Sequence, residues 1–275
     1  GLQLLCQIIT GIITDEQISF LKNFESWSLL NGNSQTTIGI YLRSLRTIYN
    51  IAIDRKIASR DEYPYGRKKY ELPAPRNIKK ALSIAEIKKI FEFTTENKVM
   101  KFHRDLWVFS YLCNGANIKD ICLIKYGDIK GDSIIFRRAK TVITNRKSKP
   151  IIAAYTDHIQ RIIDEWGVKP ITMDTFIFPV INNSDSERRI KEKVALLVKK
   201  INKYIDDIAK ASNIKSRVTT YTARHSFATV LKRSGVSTSY ISEFLGHADE
   251  KTTESYLGSI EDPERKKIAA RLTEF

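Results

Sequence analysis

The chain is poor in cysteine, acidic residues and long apolar runs, and each shortage removes a class of protein. Cys6, Cys113 and Cys122 are its only cysteines. They have no Cys-x-x-Cys spacing, which excludes a disulfide framework and a zinc knuckle and leaves reduced core thiols. The apolar opening "GLQLLCQIITGIIT" is too short to span a bilayer and carries no basic n-region or small-residue cleavage site. It reads as a buried helix, and no membrane association is expected. There is no internal repeat or low-complexity tract. Acidic residues number 31 against 46 lysines and arginines, a formal charge of +15 spread along 275 residues. That imbalance points to a polyanionic partner, and nucleic acid fits it well.

Hydrophobic periodicity divides the chain. Thr14 with Gln17 forms a capping box and Ile13 with Ile18 a staple, opening a helix through about residue 27 that "NGNS" ends. From Gln35 to Ala52 the residues Ile38, Tyr41, Leu42, Leu45, Ile48, Tyr49 and Ala52 keep a helical stripe, with Arg43 and Arg46 off it. Residues 1–70 therefore read as a small helical domain with a basic outer edge. The stretch "DEYPYGRKKYELPAPRNIKKALS" holds Pro64, Pro73 and Pro75 among many basic residues and shows no periodic apolar face. It reads as an interdomain connection, with residues 71–82 as the linker. Ser83 with Glu86 makes a second capping box and starts a domain over 83–275. Helices are expected near 84–97 and 102–113, a small antiparallel sheet between about 127 and 155, and a strongly basic helix over 187–211. The expected fold class is mainly α with a small antiparallel β-sheet.

"TARHSFATVL" puts Arg224 beside His225 at the opening of an apolar helix, and "LGHADEKTTESYLG" follows with His247 and Tyr256 nine positions apart. The stretch 222–258 resembles the C-terminal signature of the tyrosine recombinases, the phage integrase family: an Arg–His pair on a helix, then Leu-Gly-His, then a nucleophilic tyrosine nine residues on. "LCNGANIKDICLIKYGDI" is similar to the family's first box and "FRRAKT" to its β-hairpin lysine, here Lys140. The resemblance covers nearly the whole chain. It implies an N-terminal helical core-binding domain, a linker and a mixed α/β catalytic domain. It also implies site-specific recombination of double-stranded DNA by a homotetramer, assembled on recombining DNA from protomers that are monomeric in solution, in the cytoplasm and on the bacterial nucleoid. Many members carry a further N-terminal arm-binding domain, expected here to have been removed ahead of Gly1.

The chemistry of the residues agrees with those roles. Cutting DNA without metal or cofactor needs a nucleophile, an acid for the departing 5′-oxygen and donors for the charge on the pentavalent phosphate. Tyr256 can attack, Lys140 can protonate and Arg224 can clamp, with His247 beside them. A phenol with a pKa of about 10 needs such cationic donors as it loses its proton. A 3′-phosphotyrosyl link would store the bond energy, so ATP is not required. The basic residues Arg43, Arg46, Lys68, Lys69, Lys79 and Lys80 are the expected DNA contacts. Each residue taken singly has a plainer alternative: Tyr256 as an aromatic anchor, Arg224 as a salt-bridge partner, His247 as a capping or core histidine after Gly246, Lys140 as an exposed hairpin lysine. His225 reads as structural.

Two positions depart from the family pattern. Asn117 stands where the first catalytic arginine belongs, and Tyr221 stands where a histidine usually precedes the second. Asparagine cannot supply a guanidinium fork. In this the chain resembles a subgroup of integrases from conjugative and mobilisable elements that also lack that arginine. Strand alternation would put Arg138 on the face of Lys140 and Arg137 on the other, so Arg138 is the expected replacement. Two other functions remain open at this point. One is type IB topoisomerase-like relaxation, against which the stripe Ile268, Leu272 and Phe275 offers a helix able to dock on a neighbouring protomer. The other is a catalytically decayed DNA-binding protein, suggested by the helix-turn-helix rhythm of "FATVLKRSGVSTSYISEFLG".

Overall fold

The computed structural model describes residues 15–73, 81–142, 149–246, 250, 252 and 253. Thr14, Ile13, Lys79, Lys80, His247, Tyr256, Ile268, Leu272 and Phe275 lie outside the described residues. Two compact units meet between Ile78 and Lys79, inside the stretch expected as linker. Among the described residues no helix is long and apolar enough to cross a membrane.

In the first unit, α1 (Asp15–Leu30) and α2 (Gln35–Asp54) are joined by a turn at Gly32, whose φ of 80° suits glycine. Ser34 caps α2 by accepting the Thr37 N–H at 3.1 Å. Leu21, Ile38 and Leu42 form the core together with Tyr65 and Tyr70. The stretch from Asp61, expected to have no periodic apolar face to bury, thus supplies two core residues, and that expectation is corrected. Rings of Tyr49, Tyr63, Tyr65 and Tyr70 run in sequence, with centroids 5.7, 5.5 and 6.3 Å apart. The Tyr70 hydroxyl donates to Glu25 at 2.6 Å. Aromatic rings bury large areas without needing a helical or strand period, so periodicity cannot reveal them.

The second unit is built round α4 (Lys98–Leu112), in which Leu106, Trp107, Val108 and Phe109 are all buried. A helix covered on every side in this way forms the centre of a layered core. It follows α3 (Ile84–Glu92), capped by the Ser83–Glu86 box, and precedes α5 (Ile118–Leu123). α3 stops at Glu92, short of the expected 97, and α4 begins at Lys98, ahead of the expected 102. The sheet is antiparallel in the order β1 (Ile129–Lys130), β2 (Ser133–Phe136), β3 (Ile151–Ala154), with Ile134 opposite Ala153 and Phe136 opposite Ile151. Between β2 and β3 lies α6 (Ala139–Val142). Then come α7 (Asp157–Trp166), α8 (Glu187–Ala211), α9 (Thr220–Arg233) and α10 (Thr238–Leu245). The fold is mostly helical with one small antiparallel sheet, as the periodicity implied.

Candidate active site

The centre of the site is a buried cation. Arg224 is 2 % exposed, and its guanidinium donates from Nη1 to the Gly115 carbonyl at 3.0 Å and from Nη2 to the Leu245 carbonyl at 2.7 Å. A charge is costly in a protein interior unless neighbouring dipoles or counter-charges meet it, and two carbonyls do so here. The turn after α4 makes the first contact possible. Asn114 and Gly115 both adopt positive φ, 55° and 62°, and Asn114 Nδ2 ties the turn to β3 by donating to the Ile152 carbonyl at 3.0 Å. A Cβ on Gly115 would stand 2.7 Å from the Arg224 Cα, so only glycine lets the turn approach α9.

The second contact leads to α10. Its last turn closes on Gly246 in the left-handed conformation, φ 62° and ψ 40°, with the Gly246 N–H donating to the Glu243 carbonyl. Arg138 reaches the next carbonyl along: its Nη1 donates to Gly246 at 3.3 Å. The two guanidiniums therefore hold consecutive carbonyls immediately before His247.

Asp120 joins these parts. Its carboxylate accepts the Ala139 N–H at 2.8 Å and takes the backbone N–H of Asn117, in the electrostatic reach of Arg138 and Arg224. Burial pushes its carboxyl above the usual aspartate range, and those donors and the two arginines pull it part of the way back. Asp120 sits three residues after the α5 cap, Asn117, whose own side chain caps nothing. That capping-box spacing was the available signal for Asp120.

The expected strand geometry of "FRRAKT" is corrected. β2 ends at Phe136 and the chain turns into α6 at Ala139, so Arg138 and Lys140 share no strand face. The physical reason is the Asp120 carboxylate, which takes the N–H of Ala139 and starts a helix there. Arg138 is half-buried against Gly246, whereas Arg137 and Lys140 are exposed. Lys140 still lies in the β2–β3 connection. Tyr221 is 48 % exposed on α9, one turn before His225, and their rings meet edge to face with centroids 4.7 Å apart. Of the expected site residues, Arg224 and Arg138 are thus brought together, and Tyr221 lies on the same helix as Arg224.

The expected DNA contacts in the first unit differ among themselves. Arg46 and Lys68 are exposed, and Arg43 folds along α2 towards Gly39. The Lys69 ammonium donates to the carbonyls of Tyr63 at 2.5 Å and Asp61 at 3.3 Å, which closes the loop it belongs to.

The description of the phage integrase family matches residues 80–261, and that of the phage integrase SAM-like domain matches residues 15–72. The chain belongs to the phage integrase family. The matched span takes in Asn117, Arg138, Lys140, Arg224, His247 and Tyr256. Among curated relatives, a tyrosine recombinase of Pseudothermotoga lettingae is 26% identical over 271 residues, covering 94% of this chain and 84% of the relative. Among solved structures, the integrase of transposon Tn1549 in complex with circular intermediate DNA aligns with a TM-score of 0.63 at 19% identity, covering 98% of this chain and 91% of the other. A lambda integrase tetramer bound to a Holliday junction aligns with a TM-score of 0.59 at 16% identity, over 90% and 66% of the two chains. The likeness to these structures is one of fold. Membership makes this integrase-family chain a tyrosine recombinase, an enzyme of site-specific DNA recombination. That activity is favoured over topoisomerase-like relaxation and over a decayed binder.

Proposed function

We propose that the chain cuts and rejoins duplex DNA through Tyr256, with Arg224 and Arg138 as the paired cationic clamp on the scissile phosphate. The phenol oxygen of Tyr256 forms a bond to phosphorus as the bond to the 5′-oxygen breaks. Lys140 gives that oxygen its proton, and the phenol proton leaves to solvent. His247 and Tyr221 donate to the non-bridging oxygens, and the 3′-phosphotyrosyl link keeps the bond energy for religation. Neither metal nor ATP takes part. Arg43, Arg46, Lys68, Lys69, Lys79 and Lys80 grip the duplex backbone, and four protomers, monomeric when free, exchange strands in pairs. The reaction takes place in the cytoplasm, on the nucleoid.

The observation that carries this reading is the hold of Arg224 and Arg138 on the carbonyls of Leu245 and Gly246, next to His247. A guanidinium so fixed is oriented before the phosphate arrives, which is what makes charge stabilisation effective. The test is incubation with a nicked suicide duplex. The parent chain is expected to form a covalent adduct, and Tyr256→Phe to bind equally well and form none. An adduct with the Phe variant would move the nucleophile to another tyrosine.

A further inference from the structure

Arg224 is held on one side of α9, and the opposite side of the same helix is held by something unrelated to the phosphate clamp. Ser226 comes two residues later, about 200° round the helix. It is fully buried, and its Oγ accepts the backbone N–H of Leu82 at 2.9 Å, across 144 residues of sequence. Leu82 is itself fully buried and stands three residues past Lys79, where the second unit begins. Its N–H is aimed by the rigid start of α3. There the Ser83 N–H donates to Glu86 Oε2 at 2.8 Å and the Ser83 hydroxyl accepts the Glu86 N–H.

The Ser226 hydroxyl serves a different end from hydroxyls elsewhere on these helices. Ser44, Thr47 and Ser234 each donate to the carbonyl four residues back, the ordinary local bond of a helical serine or threonine. Ser226 takes a donor from another part of the fold. The start of α9 is fixed separately, by the Thr220 N–H donating to Asn202 Oδ1 at 2.7 Å and Trp107 Nε1 donating to the Thr219 carbonyl at 2.9 Å. With its start pinned at Thr219 and Thr220, the placement of Arg224 four residues on depends on the contacts made further along α9, and the Ser226–Leu82 bond is one of them. Side chains reach about 5–6 Å from a helix axis, so a turn of about 10° carries the guanidinium about 1 Å.

We propose that Ser226 is a positioning residue: through its bond to Leu82 the chain entering the catalytic unit sets the rotation of α9 and hence the placement of Arg224. The proposal rests on the reading of Arg224 as a catalytic clamp. It makes the segment that leads into α3 part of the catalytic apparatus, because a displacement at Leu82 reaches the phosphate clamp through one hydrogen bond.

The test is a cycle on the full chain: the parent, Ser226→Ala, a Gly-Ser-Gly-Ser insertion between Ile78 and Lys79, and both changes together. Single-turnover adduct formation on a saturating suicide duplex gives the rate, and fluorescence anisotropy gives the affinity. A 1 Å misplacement can cost up to about a hundredfold, so Ser226→Ala is expected to slow adduct formation about tenfold or more. Its DNA affinity stays at the parental value. The insertion is expected to slow the parent and to add nothing in Ser226→Ala, since the connection it acts through is already cut. Ser226→Cys keeps the side-chain shape but offers the Leu82 N–H only a weak sulfur acceptor in place of the hydroxyl oxygen, so it loosens the bond and replaces the alanine variant if that one does not fold. Parental cleavage by the Ser226 variant, an insertion that leaves the parent rate unchanged, or an insertion that slows both backgrounds by the same factor overturns the proposal. A parent chain that forms no adduct at all overturns the proposed function as well, and is told apart by that.

Discussion

Arg224 and Arg138, 86 positions apart in sequence, rest on adjacent carbonyls of one helix end: Arg224 Nη2 lies 2.7 Å from the Leu245 oxygen and Arg138 Nη1 3.3 Å from that of Gly246. In the proposed mechanism Arg138 supplies the second guanidinium that Asn117 cannot provide. Losing one donor to a developing phosphate charge costs on the order of 10²–10³ in rate. Arg138→Ala is therefore expected to depress adduct formation at saturating DNA by that order, with a smaller effect on binding. Arg137→Ala, which removes an exposed cation next door, leaves the saturated rate unchanged. Parental cleavage by Arg138→Ala would assign the clamp to another group.

The turn that brings Gly115 to Arg224 supplies a stability prediction with an internal control. Gly115→Ala places a methyl 2.7 Å from the Arg224 Cα at a φ of 62°, and strain and overpacking together cost about 2 kcal/mol or more. Adduct formation falls with it, since α9 must move. Gly32→Ala has a similar backbone problem, φ 80°, but open space around it. It is expected to cost about 1 kcal/mol and to leave cleavage untouched. Urea unfolding and the suicide-substrate assay read both variants, and equal effects of the two on cleavage would refute the role given to Gly115.

Much of this arrangement was legible in the sequence. The 3.6-residue period marks α2, the capping box of Ser83 and Glu86 marks the start of α3, and β-rich runs between polar turns mark β2 and β3, because those signals are local. The spacing of Arg224, His247 and Tyr256 was legible for the same reason. What could not be read depends on distant partners. Gly115 matters because of an arginine 109 residues away, and α6 replaces a strand because Asp120 captures the Ala139 N–H. The strand alternation expected for Arg138 is absent from the fold, and Arg138 instead meets the Gly246 carbonyl from the turn before α6. Of the tyrosine cluster in the first unit only Tyr49 falls on a helical period; Tyr63, Tyr65 and Tyr70 obey none.

Lys68 and Lys69 are neighbours that salt and heat are expected to tell apart. Binding to duplex DNA is expected to weaken with salt, log K falling by about 0.9 per phosphate neutralised per tenfold rise in concentration. Lys68 is exposed, and Lys68→Ala is expected to lower that slope by about 1 with the melting temperature unchanged. The Lys69 ammonium is engaged by the carbonyls of Tyr63 and Asp61, so Lys69→Ala lowers the melting temperature of the first unit as well. Anisotropy across a salt series and a thermal melt suffice. A salt slope unchanged in Lys68→Ala, or unchanged melting in Lys69→Ala, would contradict the assignment.

Acid is expected to loosen the support beneath α9 by a traceable step. Asp185 accepts from Lys193 Nζ at 2.6 Å and from the Asn182 N–H at 2.8 Å, with Arg189 Nε at 3.2 Å, and fastens the loop that enters α8. The Lys193 ammonium, more than any other group, holds its carboxyl below the usual aspartate range, the Asn182 N–H adds to this, and desolvation opposes them in part. The folded carboxyl thus gives up its proton more readily than the unfolded one, so between the two values the unfolded chain binds more protons and stability rises with pH. The contribution is complete above the unfolded value of about 3.9 and is lost as pH falls through the lower, folded value. Asp185→Asn keeps an oxygen for the Asn182 N–H and removes only the charge. Urea midpoints of the parent and this variant are expected to differ most near neutral pH and to converge below about pH 4. A difference that stays constant down to the acid limit would show that the Asp185 charge contributes nothing to holding α8, the helix whose Asn202 fixes the start of α9.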